Sequence, residues 1–327
     1  MNLSTIEDRL NEIFRSVDQL NANQGANVKE TLSHLDRISN YHIDLSNELI
    51  RRADSINIHT HMTKERQQIA AMNSITDFET RCRDPKSLSR SYAQVYSQFG
   101  EDGYIAEIFS RIGEKTRTFL EIGVENGTQN TTRFLLERGW SGVWIEGDEQ
   151  KSKEAGEIFQ DFIVSGQSKI IQIFVEPDNI NQILDSNNAA MIFDYISVDV
   201  DQNTSHVWRA LDRTARVACI EYNASIPPSV AVEVPYQAGA AWDGTNHFGA
   251  SLKTLDLIGK TKGMSLVGCD FPGVNAFFVT DGETGDAFRQ PYDAMTHYEP
   301  PRYSALNHLG HPPAATAKRW SHPRETG

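Results

Sequence analysis

The spacing of hydrophobic positions divides the chain into regions of different character. Over residues 4–53, Ile6, Leu10, Ile13, Val17 and Leu20, then Val28, Leu32, Leu35, Ile38, Leu45 and Leu49, recur mostly three and four apart, the spacing of one helical face. Ser4-Thr5-Ile6-Glu7 has the form of a capping box opening such a helix. Continuing the first register past Leu20 puts Gln24 and Asn27 on the apolar seam, with Gly25 between them. Polar residues at such positions cost stability but fix register and strand number. Three readings fit: an oligomerising coiled coil, an amphipathic helix folded back on its own domain, or two helices with a kink at 21–27. Self-association through residues 4–53 is the one adopted. Residues 54–94 are polar with scattered apolar positions and read as a helical connector, with His59 and His61 as solvated surface residues.

From Gln94 the pattern changes to short apolar runs alternating with amphipathic ones. An amphipathic run through Ile105, Ile108, Phe109 and Ile112 ends at Gly113. Strands are expected at 117–124, 142–147, 169–175, 191–200 and 216–222, separated by helices at 129–138, 150–164, 178–187 and 204–213. A loop at 224–248 and a helix at 249–263 follow. The runs Ser265–Cys269 and Val274–Val279, joined by Phe271-Pro272-Gly273, then suit a terminal hairpin. Strands alternating with helices imply right-handed crossovers and a parallel sheet covered on both faces. The tail, 282–327, lacks apolar periodicity and reads as an irregular extension over the site mouth or as disorder. Its His308 and His311 are three apart, but no third ligand completes a zinc-type set.

Composition narrows the function classes. A length of 327 residues fits one large α/β domain, placed at 95–281, plus extensions. A formal charge of −13 argues against a nucleic-acid footprint or a polybasic membrane patch. No apolar run approaches a membrane span, and the amino terminus lacks the basic and apolar regions of a signal peptide. Cys82, Cys219 and Cys269 are odd in number and widely spaced, which suits free thiols in a reducing cytosol. A cytoplasmic location is therefore expected.

In an open parallel sheet, ligands gather at the carboxyl ends of the strands, and acids stand at several of these tips. The first strand gives Glu121, an acceptor suited to an ammonium or a hydroxyl, then Gly123 and Gly127, where backbone can approach a ligand. The second ends in Glu146, whose two oxygens suit two ribose hydroxyls, and in Asp148, a helix cap. Glu176-Pro177 closes the third and reads as a helix start. On the fourth and fifth, Asp199 and Asp201, then Glu221 and Asn223, are spaced two apart and face one side of an extended strand. Oxygen donors without sulfur point to Mg²⁺, with Mn²⁺ or Ca²⁺ as variants. The competing reading is that Asp201 or Asn203 caps the next helix and Glu221 pairs with a cation. His247, in the long loop, is either a general base for a hydroxyl or a surface residue.

Glu121-Ile122-Gly123 with Gly127 resembles motif I of class I S-adenosylmethionine-dependent methyltransferases; the glycine spacing of a dinucleotide fingerprint is absent. A wider set of blocks resembles a bacterial group related to the FkbM-type methyltransferases. They are Ser97-Gln98-Phe99-Gly100-Glu101-Asp102, Gly139-Trp140-Ser141-Gly142 with Trp144-Ile145-Glu146-Gly147, and Ser197-Val198-Asp199-Val200-Asp201. Ile220-Glu221-Tyr222-Asn223 and Gly249-Ala250-Ser251-Leu252 through Asn275-Ala276-Phe277-Phe278-Val279 complete the set. Gln202 stands where that pattern has glycine.

The resemblance implies a Rossmann-like, mostly parallel class I methyltransferase sheet with a terminal β-hairpin, here carrying an N-terminal helical arm. It implies S-adenosylmethionine as cofactor, with Glu121, Gly123 and Gly127 in the cofactor loop, Glu146 on the ribose and Gln98 in a segment closing over the cofactor. The activity it implies is O-methylation of a sugar or glycan-related small molecule. On that expectation Asp199 and His247 carry catalysis, and Asp199, Asp201, Glu221 and Asn223 carry a metal. The alternatives are a catalytically silent scaffold of the same fold, oligomerised by its arm, and an NAD-type oxidoreductase, which the glycine spacing disfavours.

Overall fold

A computed structural model describes residues 3–22, 37–53, 70, 80–303 and 310–323. The chain divides into two compact units, Met1–Arg66 and Gln67–Gly327. In the first, Leu3–Ala22 is helical, as are residues 37–53. Ile38, Tyr41 and Leu45 are half-buried at steps of three and four, and the Arg9 guanidinium lies 5.9 Å over the Tyr41 ring. Phe14, Ile43 and Leu49 stay more than half exposed. The kink positions Gln24, Gly25 and Asn27, the seam positions Val28, Leu32 and Leu35, and His59, His61 and His308 lie outside the described residues.

The second unit is built on one seven-stranded sheet: β1 (Thr118–Ile122), β2 (Ser141–Glu146), β3 (Ser168–Gln172), β4 (Ile192–Val198), β5 (Thr214–Glu221), β6 (Met264–Cys269) and β7 (Asn275–Thr280). Their order is β3-β2-β1-β4-β5-β7-β6. The first five are mutually parallel, and β7 runs antiparallel between β5 and β6. This is the mostly parallel Rossmann-like sheet with a terminal hairpin that the alternation implies. Neighbouring side chains go to opposite faces: Phe277 packs with Tyr104, Phe119 and Trp140, whereas Phe278 packs with Trp208, Leu255 and Leu120. The expected helix at 150–164 is two, Glu149–Ile158 and Gln160–Val164, broken at Phe159. The Phe159 ring packs edge-on against Trp144 at 4.9 Å. Among the described residues no helix is long and apolar enough to cross a membrane.

The tail is ordered wherever it is described. Phe288 and Ala294 are fully buried, and Ser321 exchanges backbone hydrogen bonds with Glu233 at 2.8 and 2.9 Å. Near the amino-terminal end of β4, away from the strand tips, buried Asp194 accepts the backbone N–H groups of Lys115 and Arg117 (2.7 and 2.9 Å) and faces Arg216, which also pairs with Glu283. Removing one partner of a buried pair leaves the other charge uncompensated. Asp194→Ala should therefore lower stability by about 3 kcal/mol and the melting temperature by roughly 6–12 °C in scanning calorimetry. An unchanged melting temperature would remove the group from the account of stability.

Candidate active site

The strand order reverses between β1 and β4, where diverging connections leave a crevice outside the carboxyl ends. A cavity of about 880 Å³ occupies it. Residues from the tips of β1, β2, β3, β4 and β5 line it, joined by the start of the 101–112 helix, the 224–248 loop and the tail. Gln98, Glu121, Gly123, Glu146, Asp199, Asp201 and Glu221 all line this one space; Gly127, Asn223 and His247 do not.

Glu121, Gly123 and Glu146 come to the cavity from the ends of β1 and β2. Gly123 has φ +86°, and a Cβ there would stand 1.6 Å from the Asp199 carbonyl oxygen, so glycine is required by chain crossing as much as by any ligand. Glu121 is 3 % exposed, and its carboxylate accepts from the Asn130 amide, from the N–H and hydroxyl of Thr131, and from those of Thr132, at 2.5–3.1 Å. Burial pushes Glu121 upward, opposed by these donors. Five donors fill the acceptor capacity of one carboxylate, so Glu121 fastens the loop after β1 and has nothing left for an ammonium. Gly127 (φ +75°) serves that same turn. A Cβ there would meet Phe159 and Trp144, away from the cavity.

Glu146 is different. Its oxygens take one backbone N–H each, from Glu125 (2.7 Å) and Asp148 (2.8 Å), which leaves one lone-pair site apiece. Asp148 caps the next helix by accepting the Lys151 N–H at 2.9 Å. Ile173, Phe174 and Val175, missed in the sequence reading, line the cavity just beyond β3. Gln98 lies on a segment tied down by Asp102, whose Oδ2 accepts the N–H groups of Val95, Tyr96 and Ser97 at 2.8–2.9 Å.

On the other side, ligand atoms of Asp199, Asp201 and Glu221 come within 4.8 Å of one another. Asp199 and Asp201 open into the cavity, while Glu221 is nine-tenths buried with its Oε2 unpartnered among the described residues. Burial, and then the Asp201 charge, push Asp199 up to about 7; burial, then Asp199 and Asp201, push Glu221 well above the carboxylate range. Mutual repulsion of three carboxylates this close is relieved only by a proton or a cation. The helix at Thr204–Ala210 has no side-chain cap from Asn203, whose amide goes to the Gln237 carbonyl, and no cation pairs with Glu221 among the described residues. Asp201 takes the left-handed conformation itself (φ +53°), and Gln202 donates to the His247 carbonyl.

Asn223 is not the fourth ligand. It is fully buried, its Oδ1 accepts from the N–H and hydroxyl of Ser225, and its amide donates to the carbonyls of Asn246 and Phe248 at 2.8 and 2.9 Å. Asn246 in turn holds the tail, through its N–H to the Pro312 carbonyl and its Oδ1 from the Ala314 N–H. His247 is displaced as well: its Nε2 pairs with the Arg319 carbonyl at 2.9 Å and its ring lies tilted against Trp320, centroids 4.5 Å apart. The histidine that does line the cavity is His311 from the tail. Its ring packs against Trp242, Phe248 and Tyr303 with centroids 4.5–5.0 Å away, and burial lowers its pKa, which favours the neutral imidazole. No periodicity announces Trp242, Tyr303 or His311, because each sits in irregular chain. Glu176 helps fix that loop, accepting the Tyr236 hydroxyl (2.5 Å) and the Gly239 N–H (2.7 Å).

No family model matches the chain, and no curated protein does. Among solved structures it is similar to the N-terminal domain of EvdMO1 with SAH bound (11 % identity, TM-score 0.39, covering 57 % of this chain and 81 % of that one). It is also similar to an S-adenosylmethionine-dependent methyltransferase from Clostridium acetobutylicum (10 %, TM-score 0.37, 56 % and 92 %) and a putative O-methyltransferase from Klebsiella pneumoniae (17 %, TM-score 0.39, 64 % and 94 %). Likeness at this level transfers neither activity nor substrate.

The acid cluster sets a pH dependence. Asp199 sits at about 7 in the fold, against roughly 4 when unfolded, so the folded state binds the extra proton between those values. In EDTA-treated protein this contribution is fully present below about pH 4 and is lost as pH rises through 7. Melting temperature should fall across that window, and Asp199→Asn should flatten the fall. A melting temperature rising steadily from pH 5 to 8 in both proteins would contradict the assignment.

Proposed function

We propose that this chain is an S-adenosylmethionine-dependent O-methyltransferase acting on a hydroxyl of a sugar or glycan-related small molecule. The observation that carries the reading is one cavity with an under-used acid, Glu146, on one side and three carboxylates within 4.8 Å on the other. Glu146 is suited to the two ribose hydroxyls, and Ile173, Phe174 and Val175 to the base. The volume falls within the range of small-molecule sites. The orphaned Glu221 Oε2 and an all-oxygen donor set fit a hard divalent cation, Mg²⁺ or Mn²⁺, held by Asp199, Asp201 and Glu221. When bound, the sulfonium supplies an activated methyl group, and the cation lowers the pKa of a hydroxyl it orients.

The chain's own residues do the rest. Trp242 and Phe248 offer apolar faces to the ring of an acceptor and exclude water. His311, neutral and on the acceptor side, takes the hydroxyl proton that the sequence reading gave to His247. Holding nucleophile and methyl in line accounts for most of the remaining work. Phe14, Ile43 and Leu49, exposed on the N-terminal helices, support self-association through residues 4–53.

Incubation with S-adenosylmethionine and a panel of methyl glycosides bearing vicinal hydroxyls should release S-adenosylhomocysteine. EDTA should abolish that release and Mg²⁺ restore it, with His311→Ala slowing turnover roughly 10²-fold or more. Full activity in excess EDTA, with Asp201→Ala unharmed, would remove the cation. In light scattering, Phe14→Glu with Leu49→Glu should lower the subunit number; an unchanged number would end the oligomer proposal.

A further inference from the structure

Glu101 opens the helix at Glu101–Ile112 and lines the cavity beside Gln98 and Phe99. Only 2 % of it is exposed. Its Oε2 accepts the Phe99 N–H and its Oε1 the Asn275 amide, each at 2.8 Å, which leaves one lone-pair site on each oxygen. Both donors are neutral. Burial pushes Glu101 up to about 7, and two further acids face it: Asp102 from its own helix and Asp270 from the β6–β7 turn. Among the described residues no lysine or arginine pairs with it. A buried carboxylate with neutral partners alone is costly; a proton or a cation offsets that cost, and an N–H donor on each oxygen favours the ionised form that a cation would meet.

The other cavity acids have other roles. Glu121 has five donors, Glu146 is the acid assigned to the ribose, Asp148 caps the helix at Glu149–Ile158, Glu125 pairs with Lys151 at 2.7 Å, and Asp199, Asp201 and Glu221 form the cation cluster. We propose that Glu101, and not the strand-tip acid Glu121, holds the ammonium at the amino-acid end of the cofactor. The ribose then lies at β2 and the amino-acid end points toward the 101–112 helix and the hairpin. This rests on the cofactor reading above and adds the cofactor's direction in the cavity. Asn275 becomes a positioning residue, since its amide orients the Glu101 carboxylate from β7.

Calorimetric titration with S-adenosylhomocysteine and with 5′-methylthioadenosine tests it, since the second has the same nucleoside and sulfur but no amino-acid end. Wild-type protein should bind S-adenosylhomocysteine more tightly. The near-isosteric Glu101→Gln should weaken that ligand by roughly tenfold or more and leave 5′-methylthioadenosine unaffected, so the two affinities converge. Glu121→Gln should loosen the loop after β1 and weaken both ligands alike, and melting curves of each variant separate lost binding from lost folding. Equal weakening of both ligands by Glu101→Gln, or of neither, would overturn the assignment. Wild-type protein that binds neither ligand would instead overturn the cofactor reading itself, and this inference with it.

Discussion

Two backbones pass at the centre of this site more closely than a side chain permits. The end of β1 is bonded to both neighbours there, by the Gly123 N–H to the Ile145 carbonyl and the Asp199 N–H to the Ile122 carbonyl. With no Cβ at position 123, the chain leaving β1 turns under the Asp199 carbonyl instead of colliding with it. Both halves of the cavity follow. On one side the loop after β1 closes onto Glu121 and delivers Glu125 to Glu146. On the other, Asp199 emerges beside Glu221, and the chain curls through Asp201 in a left-handed conformation.

The same crossing explains what the sequence made legible. Apolar runs ending in acids located every parallel strand to within a few residues, because a strand buried on both faces has to be apolar and its tip has to meet solvent or a ligand. The acid cluster was also legible, although not for the reason the spacing suggests. β4 stops at Val198, so Asp199 and Asp201 converge through a turn and not along a strand. That rule failed at Asn223 for a matching reason. β5 stops at Glu221, and the Asn223 N–H goes to the Ala250 carbonyl, which carries its side chain into the loop. The acceptor-side wall was not legible at all. Trp242, Tyr303 and His311 meet only because Asn223, Asn246 and Glu233 pin distant irregular segments together, and no local periodicity records such pairing.

The cavity is a collection of acids, and the way each is neutralised separates scaffold from chemistry. Glu121 is saturated by hydroxyls and N–H groups, Asp148 caps a helix, and Glu125 has Lys151. Those arrangements are complete within the chain. Glu101 and the Asp199–Asp201–Glu221 cluster are not: burial and mutual repulsion raise their pKa values, and no lysine or arginine pairs with them among the described residues. In a cavity this size, that uncompensated negative charge is what the proposal of a cationic nucleoside and a hard metal ion rests on.

The central claim is that these strand-tip acids make one site for both. Crystals grown with S-adenosylhomocysteine and MnCl₂, measured at the manganese absorption edge, test it most directly. The account predicts an anomalous peak among Asp199, Asp201 and Glu221, with nucleoside density running from Glu146 past Gly123 in the same cavity. Nucleoside density elsewhere on the protein, or manganese bound away from those three carboxylates, would contradict it.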